Sequence, residues 1–382
     1  MKSRVKKLAL FLGLILVGVL ISETRRFARE FRFELSMLSR AGVSVPDRDD
    51  LALAVRKESI RRFELYDRLI GSYASSHGMV VWRDLTTGNS RHECDSLLFS
   101  SLRYTALYKL GYYQRAQRAW QDIRGAYIQK QWRRHPDCAA KAISRDMLLG
   151  LLVALSTFPP DGREILEDLN HKIERHSGFF ADGPIYVSYL TPQMAELMRL
   201  LASVYGIPAK ELPPSVRYSF ATRDLNILEI SKGYESHLVA LGLWLEMEIL
   251  DLNPALGGET APRNLIALLA DVEGQVATSE LFKIHWSFVA EKLYHLDSRN
   301  AFFTYLYARA NGEDTENSRL LMQAQLNEMS QFPRGFLPMD CDRGSDYLWQ
   351  RDSQEMDEKE PNCNTIHPGV DYLWMTALLL GK

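Results

Sequence analysis

The sequence predicts an all-α domain behind an N-terminal hydrophobic segment, and three observations predict it. Apolar residues recur at i, i+3, i+4 and i+7 along most of the chain after residue 50, the spacing of one buried helix face. Helix punctuation falls between these stretches: Pro159, Pro160, Asp161 and Gly162 separate two of them, and Thr191-Pro192 opens another with proline at the first helical position. Strand signals are few and short.

Residues 1–22 are a separate object. Lys2, Arg4, Lys6 and Lys7 precede an uninterrupted run of apolar residues and glycine over 8–21. A positive n-region before an apolar h-region marks export. Leu20, Ile21 and Ser22 make a poor cleavage site, and the run falls short of the about 20 residues of a spanning helix. A cleaved signal peptide and an uncleaved inner-membrane anchor therefore both stay open. The positive end should remain cytoplasmic, so either reading makes the remainder periplasmic or secreted, with the membrane as partner through the N-terminal segment. Residues 23–50 read as a juxtamembrane stalk and linker. The charged amphipathic part carries Phe27, Phe31, Phe33, Leu35 and Leu38, and 41–50 holds Gly, Pro and several Asp.

The globular domain spans 51–382. Helical periodicity predicts helices over 51–73, 95–110, 112–130, 145–158, 161–175, 191–205, 235–251, 262–274, 278–295, 298–311, 315–330 and 369–380. Short β signals at 79–82 and 185–189 predict small hairpins. The segment 332–368 is long for a loop without structure of its own, and such loops are characteristically functional or disordered. Its aromatics and two cysteines argue for order, and its acidic stretch 352–360 reads as a solvated tip.

The chain has 382 residues, a formal net charge of −2, 46% hydrophobic and 25% charged residues. Those values are globular. No long basic stripe is interleaved with aromatics, so no nucleic acid is expected as partner. Neither a phosphate-binding glycine loop nor a G-x-S-x-G nucleophile elbow occurs, and no cofactor is expected. His135 and Cys138 have a tolerable metal spacing but no second cluster completes a zinc pattern, so no metal is expected either. Four cysteines in an exported chain suggest disulfides. Of the three possible pairings, Cys94–Cys138 with Cys341–Cys363 is favoured, because each pair brackets polar loops.

The helices fall into two kinds. Tyr112 to Lys130 and Arg163 to Arg175 are charged over one face, as outer helices are. Others are apolar almost all round, which marks burial, and each opens on a polar knot: Glu93-Cys94-Asp95-Ser96, Ser144-Arg145-Asp146, Gly233-Tyr234-Glu235-Ser236 and Gly369-Val370-Asp371. Outer and inner helices in alternation, with the knots about every 45 to 70 residues, suit a closed ring of about six helical hairpins better than a fixed-period solenoid. On the helix starts Asp95-Ser96-Leu97-Leu98 and Ser144-Arg145-Asp146-Met147-Leu148-Leu149-Gly150, and on the aromatic-rich loops between hairpins, the chain over 51–382 resembles the (α/α)6 toroids of the six-hairpin glycosidase and polysaccharide lyase superfamily. The resemblance implies a central cleft lined by inner-helix starts and holding an oligo- or polysaccharide.

Glycoside hydrolysis needs two carboxylates across such a cleft, one as general acid and the other as base or nucleophile. The knots offer Glu93, Asp95, Asp137, Asp146, Asp182, Glu235 and Asp371. Asp95 and Asp146 are the preferred catalytic pair, since both open an inner helix. Arg134, His135 and Arg145 are candidates to hold substrate hydroxyls or carboxylates, arginine being suited to planar bidentate contacts. Trp132, Tyr186, Tyr189 and Trp349 are candidate stacking faces for sugar rings. The C-terminal loop adds Trp349, Arg351 and His367. The reading is a carbohydrate-active enzyme of the bacterial cell envelope, a hydrolase first. A lyase using His135 and Arg134, or a non-catalytic glycan- or protein-binding envelope protein on the same scaffold, are the alternatives. Against all of these stands ordinary helix capping, which also favours Ser and Asp at helix starts.

Overall fold

The computed structural model describes residues 48–84, 90–91, 96–138, 142–181, 188–208, 234–253, 278–298, 300–328, 365–366 and 370–381. The chain divides into two compact units, 1–54 and 55–382. Of the first, only the opening of helix α1 is among the described residues, so the signal or anchor segment lies outside them. No helix among the described residues is long and apolar enough to cross a membrane.

The second unit is mainly helical. The described helices are α1 Arg48–Tyr73, α2 Ser96–Lys109, α3 Tyr113–Arg124, α4 Arg145–Leu155, α5 Gly162–Arg175, α6 Pro192–Val204, α7 Tyr234–Leu252, α8 Thr278–Leu296, α9 Ala301–Ala310, α10 Glu316–Glu328 and α11 Val370–Leu380. Five short strands accompany them: β1 Trp82–Asp84, β2 Ser90–Arg91, β3 Tyr127–Ile128, β4 Gln131–Trp132 and β5 Thr365–Ile366. Strand β1 is central in a three-stranded antiparallel sheet, paired to β2 and, at Arg83 with Ile366, to β5. The expected helix over 262–274 falls outside the described residues.

The two kinds of helix differ in burial as their composition dictates. In α4 every residue from Asp146 to Leu155 is buried, and in α11 every residue from Val370 to Leu379. Each of the leucines so enclosed contributes about 2 kcal/mol of transfer free energy. Helix α2 is buried on nearly all sides, and two of its hydroxyls are satisfied within the helix: Ser101 Oγ donates to the Leu97 carbonyl at 2.7 Å, and Thr105 Oγ1 to that of Ser101 at 2.9 Å. By contrast α5 buries only Gly162 and the stripe Ile165, Leu166, Leu169 and Ile173.

Helix α2 packs on α4 and on α11, α4 on α6, α6 on α7, α7 on α9, α9 on α10, and α10 on α11, so the contacts return to where they began. Helices α2 and α4 run parallel. Gly150, midway along α4, lies against Leu98 in the first turn of α2, and Tyr104 Oη, farther along α2, meets Thr157 Oγ1, just past the end of α4, at 2.8 Å. Aromatic rings join α7, α9 and α11: Trp244 meets Trp374 edge-on at 4.6 Å, and Phe302, in the first turn of α9, meets Trp374 at 6.3 Å.

The expected helix over 112–130 is shorter than its periodicity suggests. It ends at Arg124, and β3 and β4 form a hairpin around Gln129 and Lys130, both at positive φ (52° and 60°). A two-residue hairpin turn of type I′ has such angles at both positions. Neither residue is glycine or asparagine, so the turn carries no sequence signal.

Candidate functional site

The segment 132–146 places more of the candidate residues than any other. Its loop is fixed from several sides. Arg134 Nε donates to the Ala142 carbonyl at 2.8 Å, closing the loop on itself, while its two Nη nitrogens have no partner among the described residues. Cys138 is buried and disulfide-bonded. Cys94, Cys341 and Cys363 lie outside the described residues. His135, fully buried, reaches Ser75 Oγ through Nε2 at 2.9 Å, and its Nδ1 faces the Asp137 backbone N–H at 3.1 Å.

Ser75, His135 and Asp137 therefore form a serine–histidine–aspartate neighbourhood, but their protons run the wrong way for nucleophilic catalysis. Nδ1 accepts from a backbone donor, so the ring proton belongs on Nε2 and points at Ser75 Oγ, which also receives the N–H groups of His77 and Met79 at 3.3 Å. A base must accept the serine proton. Here the serine is the acceptor, and the group braces two loops 60 residues apart. Asp137 is exposed and its Oδ1 meets His77 Nε2 at 3.1 Å. His77 and His135 lie edge to face at 5.4 Å.

Helix α4 follows. Ser144 sits at its N-cap with extended backbone, yet its side chain makes no cap bond. Its Oγ instead donates to Asp146 Oδ1. Asp146 is only 7% exposed, and its Oδ2 has no partner among the described residues. The pair of Gly150 with Leu98 sets the register of α4 against α2, so Asp146, one turn earlier on the same face, is level with the start of α2. Arg145 Nε donates to the Tyr189 carbonyl at 3.1 Å. The Tyr189 ring packs on Phe179 at 5.1 Å and lies across Gly178, whose φ of +105° and missing side chain make room for it.

Other inner-helix starts carry buried polar groups as well. Ser96, Ser236, His237, Asn300 and Asp371 are all at or below 9% exposure. His237 Nε2 accepts from Asn300 Nδ2 at 3.0 Å, and Asn300 Oδ1 caps α9 through the N–H groups of Phe302 and Phe303. The Asn300 member escaped the sequence reading, which began this helix at 298. The run Asp297-Ser298-Arg299-Asn300 before an aromatic stretch was the available signal.

Two described candidates depart from their expected roles. Trp132 is 5% exposed, its ring covered by Tyr127 at 5.0 Å and by the Arg124 guanidinium at 6.0 Å, so it is a packed residue and no open stacking face. His135 is enclosed and both ring nitrogens are engaged, so it supports the loop without facing a cleft. Glu93, Asp95, Asp182, Tyr186, Trp349, Arg351 and His367 lie outside the described residues, as does the side chain of Glu235. Among the described residues no group of three or more His, Cys, Asp or Glu could hold a metal ion.

The cavity that stands out among the described residues is at the opposite end, where α2, α7, α9 and α11 finish. Lys109, Glu248, Asp251 and Arg309 line it. No protein-family model, no curated protein and no solved structure matches the chain.

Proposed function

We propose that the protein is a carbohydrate-active enzyme of the bacterial cell envelope, held outside the cytoplasm by its N-terminal segment. Its helices form an (α/α)6 toroid whose catalytic cleft lies at the starts of the inner helices. The reaction is glycoside hydrolysis, with Asp146 and Asp95 as the general acid and base, and with Arg134 and Arg145 beside them as substrate contacts. The returning circuit of helix contacts supports the toroid. The observation that carries the functional reading is Asp146, a carboxylate 7% exposed at an inner-helix start, oriented by Ser144 and with one oxygen unspent. The β1–β5 pairing supports a further element, because it brings the end of the 332–368 loop beside the chain leading into α2. From there Trp349, Arg351 and His367 would cover the cleft.

The experiment is turnover on a panel of oligo- and polysaccharides by wild type, Asp146→Asn and Asp95→Asn. Loss of a general acid or base costs on the order of 100-fold or more. Equal turnover in Asp146→Asn removes Asp146 from the mechanism. Saturable glycan binding without turnover by the wild type would replace the hydrolase with a non-catalytic glycan-binding protein.

A further inference from the structure

Helices α2, α7, α9 and α11 end around one cavity of about 440 Å³, within the range of small-molecule pockets. Its floor is apolar, formed by Ala377 and Leu378, with Leu252 at 53% exposure beside it. Its walls are ionic. Lys109 Nζ is bonded to Glu248 Oε1, and Arg309 Nη2 reaches Glu248 Oε2 at 3.2 Å and Asp251 Oδ2 at 2.5 Å. Arg319 grips Asp314 with two bonds of 2.6 Å.

Three cations thus face three carboxylates, and the formal charge of the wall is zero. Lys109 and Arg309 lie in the last turns of their own helices, where cations offset the negative helix ends. A charged ligand would gain no net Coulombic attraction here. Capacity for hydrogen bonding nevertheless remains unspent. An ammonium has three hydrogens, and Lys109 spends one on Glu248. Tyr305 is 3% exposed and lines the cavity. Its oxygen receives Arg309 Nη1 at 3.5 Å, while its own hydrogen meets no acceptor among the described residues. Burial raises the Tyr305 phenol above its ordinary value, which keeps that hydrogen in place. Fixed donors and acceptors in equal measure, zero net charge and an apolar floor suit a ligand bearing many hydroxyls and no charge.

We infer that this cavity is a second ligand site, distinct from the proposed cleft, and that it takes a neutral sugar of one or two rings. Hydroxyl pairs bridge the Asp251 and Glu248 carboxylates to Lys109 and Arg309, Tyr305 donates to a further sugar oxygen, and Leu378 and Leu252 meet the ring's C–H face. The inference rests on the cavity alone and stands whether or not the protein is a glycosidase.

The test is calorimetric titration of the full chain with D-glucose, maltose and cellobiose, with sodium glucuronate as the charged control. Four proteins are compared: wild type, Leu252→Trp, Tyr305→Phe and Asp146→Asn. Leu252→Trp fills the mouth from an exposed position and leaves the ion pairs alone, and Tyr305→Phe removes only the free donor. The expected result is saturable binding of a neutral sugar with Kd on the order of 1 mM. It should weaken at least about tenfold in both cavity variants and stay unchanged in Asp146→Asn. No binding of any of the three sugars, binding that survives both cavity variants, or tighter binding of glucuronate overturns the inference. Binding lost only in Asp146→Asn overturns it too, while leaving the proposed cleft standing.

Discussion

Gly150 is where the proposed site and the packing meet, and Gly150→Ala is a sensitive probe of both. A Cβ at this position would lie 2.9 Å from Leu98 Cα, 2.9 Å from its Cδ1 and 3.4 Å from its carbonyl oxygen. Carbon atoms in contact prefer about 3.5–4.0 Å. Rotating the Leu98 side chain relieves the Cδ1 contact, but the Cα belongs to the α2 backbone and can be cleared only by moving the helix by roughly 0.5–1 Å. Overpacking of this kind costs about 1–3 kcal/mol. Alanine returns about 1 kcal/mol through its better helix propensity. The balance is a loss of up to about 2 kcal/mol, or a melting midpoint lowered by up to roughly 6 °C. Urea unfolding of wild type and variant measures it directly. Adding Leu98→Ala should recover only part of the loss, because the backbone contact stays. If Gly150→Ala is more stable than wild type, propensity has won and α2 and α4 are not held at the described distance. Asp146 lies one turn away on the same face, so the shift should also lower any glycan turnover.

Asn300→Ala removes the cap from two N–H groups of α9 and the bond to the fully buried His237, which costs about 2–4 kcal/mol in urea unfolding. Glu58 is held at about 2, first by its hydrogen bond to Arg61 and then by Arg62, against the opposing effect of partial burial. A depressed carboxyl stabilises the fold above its unfolded value and loses that contribution as pH falls. Glu58→Gln should therefore cost up to about 1 kcal/mol at pH 7, reduced by solvent screening, and the difference should vanish as pH drops from roughly 5 toward 2. Tyr372 is pushed up to about 12 by burial, so its stabilising effect is complete below about 10 and disappears as pH rises toward 12. Tyr372→Phe should soften alkaline unfolding over that window while costing about 1 kcal/mol at pH 7, where the bond to Asn327 is lost. Reduction with dithiothreitol should lower stability by about 2–4 kcal/mol through the Cys138 disulfide, read as a lower melting midpoint.

The helices and their two kinds were legible because burial on one side or on all sides is written in residue spacing. The all-round burial of α4 and α11 and the single stripe of α5 follow from composition alone. The β3–β4 hairpin was not legible. Ala119, Ile123, Ala126 and Tyr127 keep a helical spacing, and the turn between the strands is made by Gln129 and Lys130, which do not announce positive φ. The pairing of Ser75 with His135 was hidden for another reason: it joins positions 60 apart, and local pattern says nothing about which loops meet. The same limit concealed the cavity at the helix ends. Lys109, Glu248 and Arg309 each read as an ordinary charge on a helix, and only the convergence of three helices brings them together.

The crowd of polar groups before α4 has a division of labour. Arg134 ties 134 to 142, His135 ties the loop to Ser75, Cys138 anchors it covalently, and Arg145 fixes the helix start to Tyr189. Each of these groups spends bonding capacity on the chain itself. What they hold in place is the short step Ser144-Arg145-Asp146, where the serine orients a carboxylate that its helix does not need as a cap. A loop tied at four points beside an enclosed carboxylate would suit the proposed reaction, which needs its acid held before substrate arrives. Capping alone would require none of those ties. For this reason Asp146, rather than the more conspicuous arginines, histidine or tryptophan beside it, is the residue on which the proposed chemistry stands or falls.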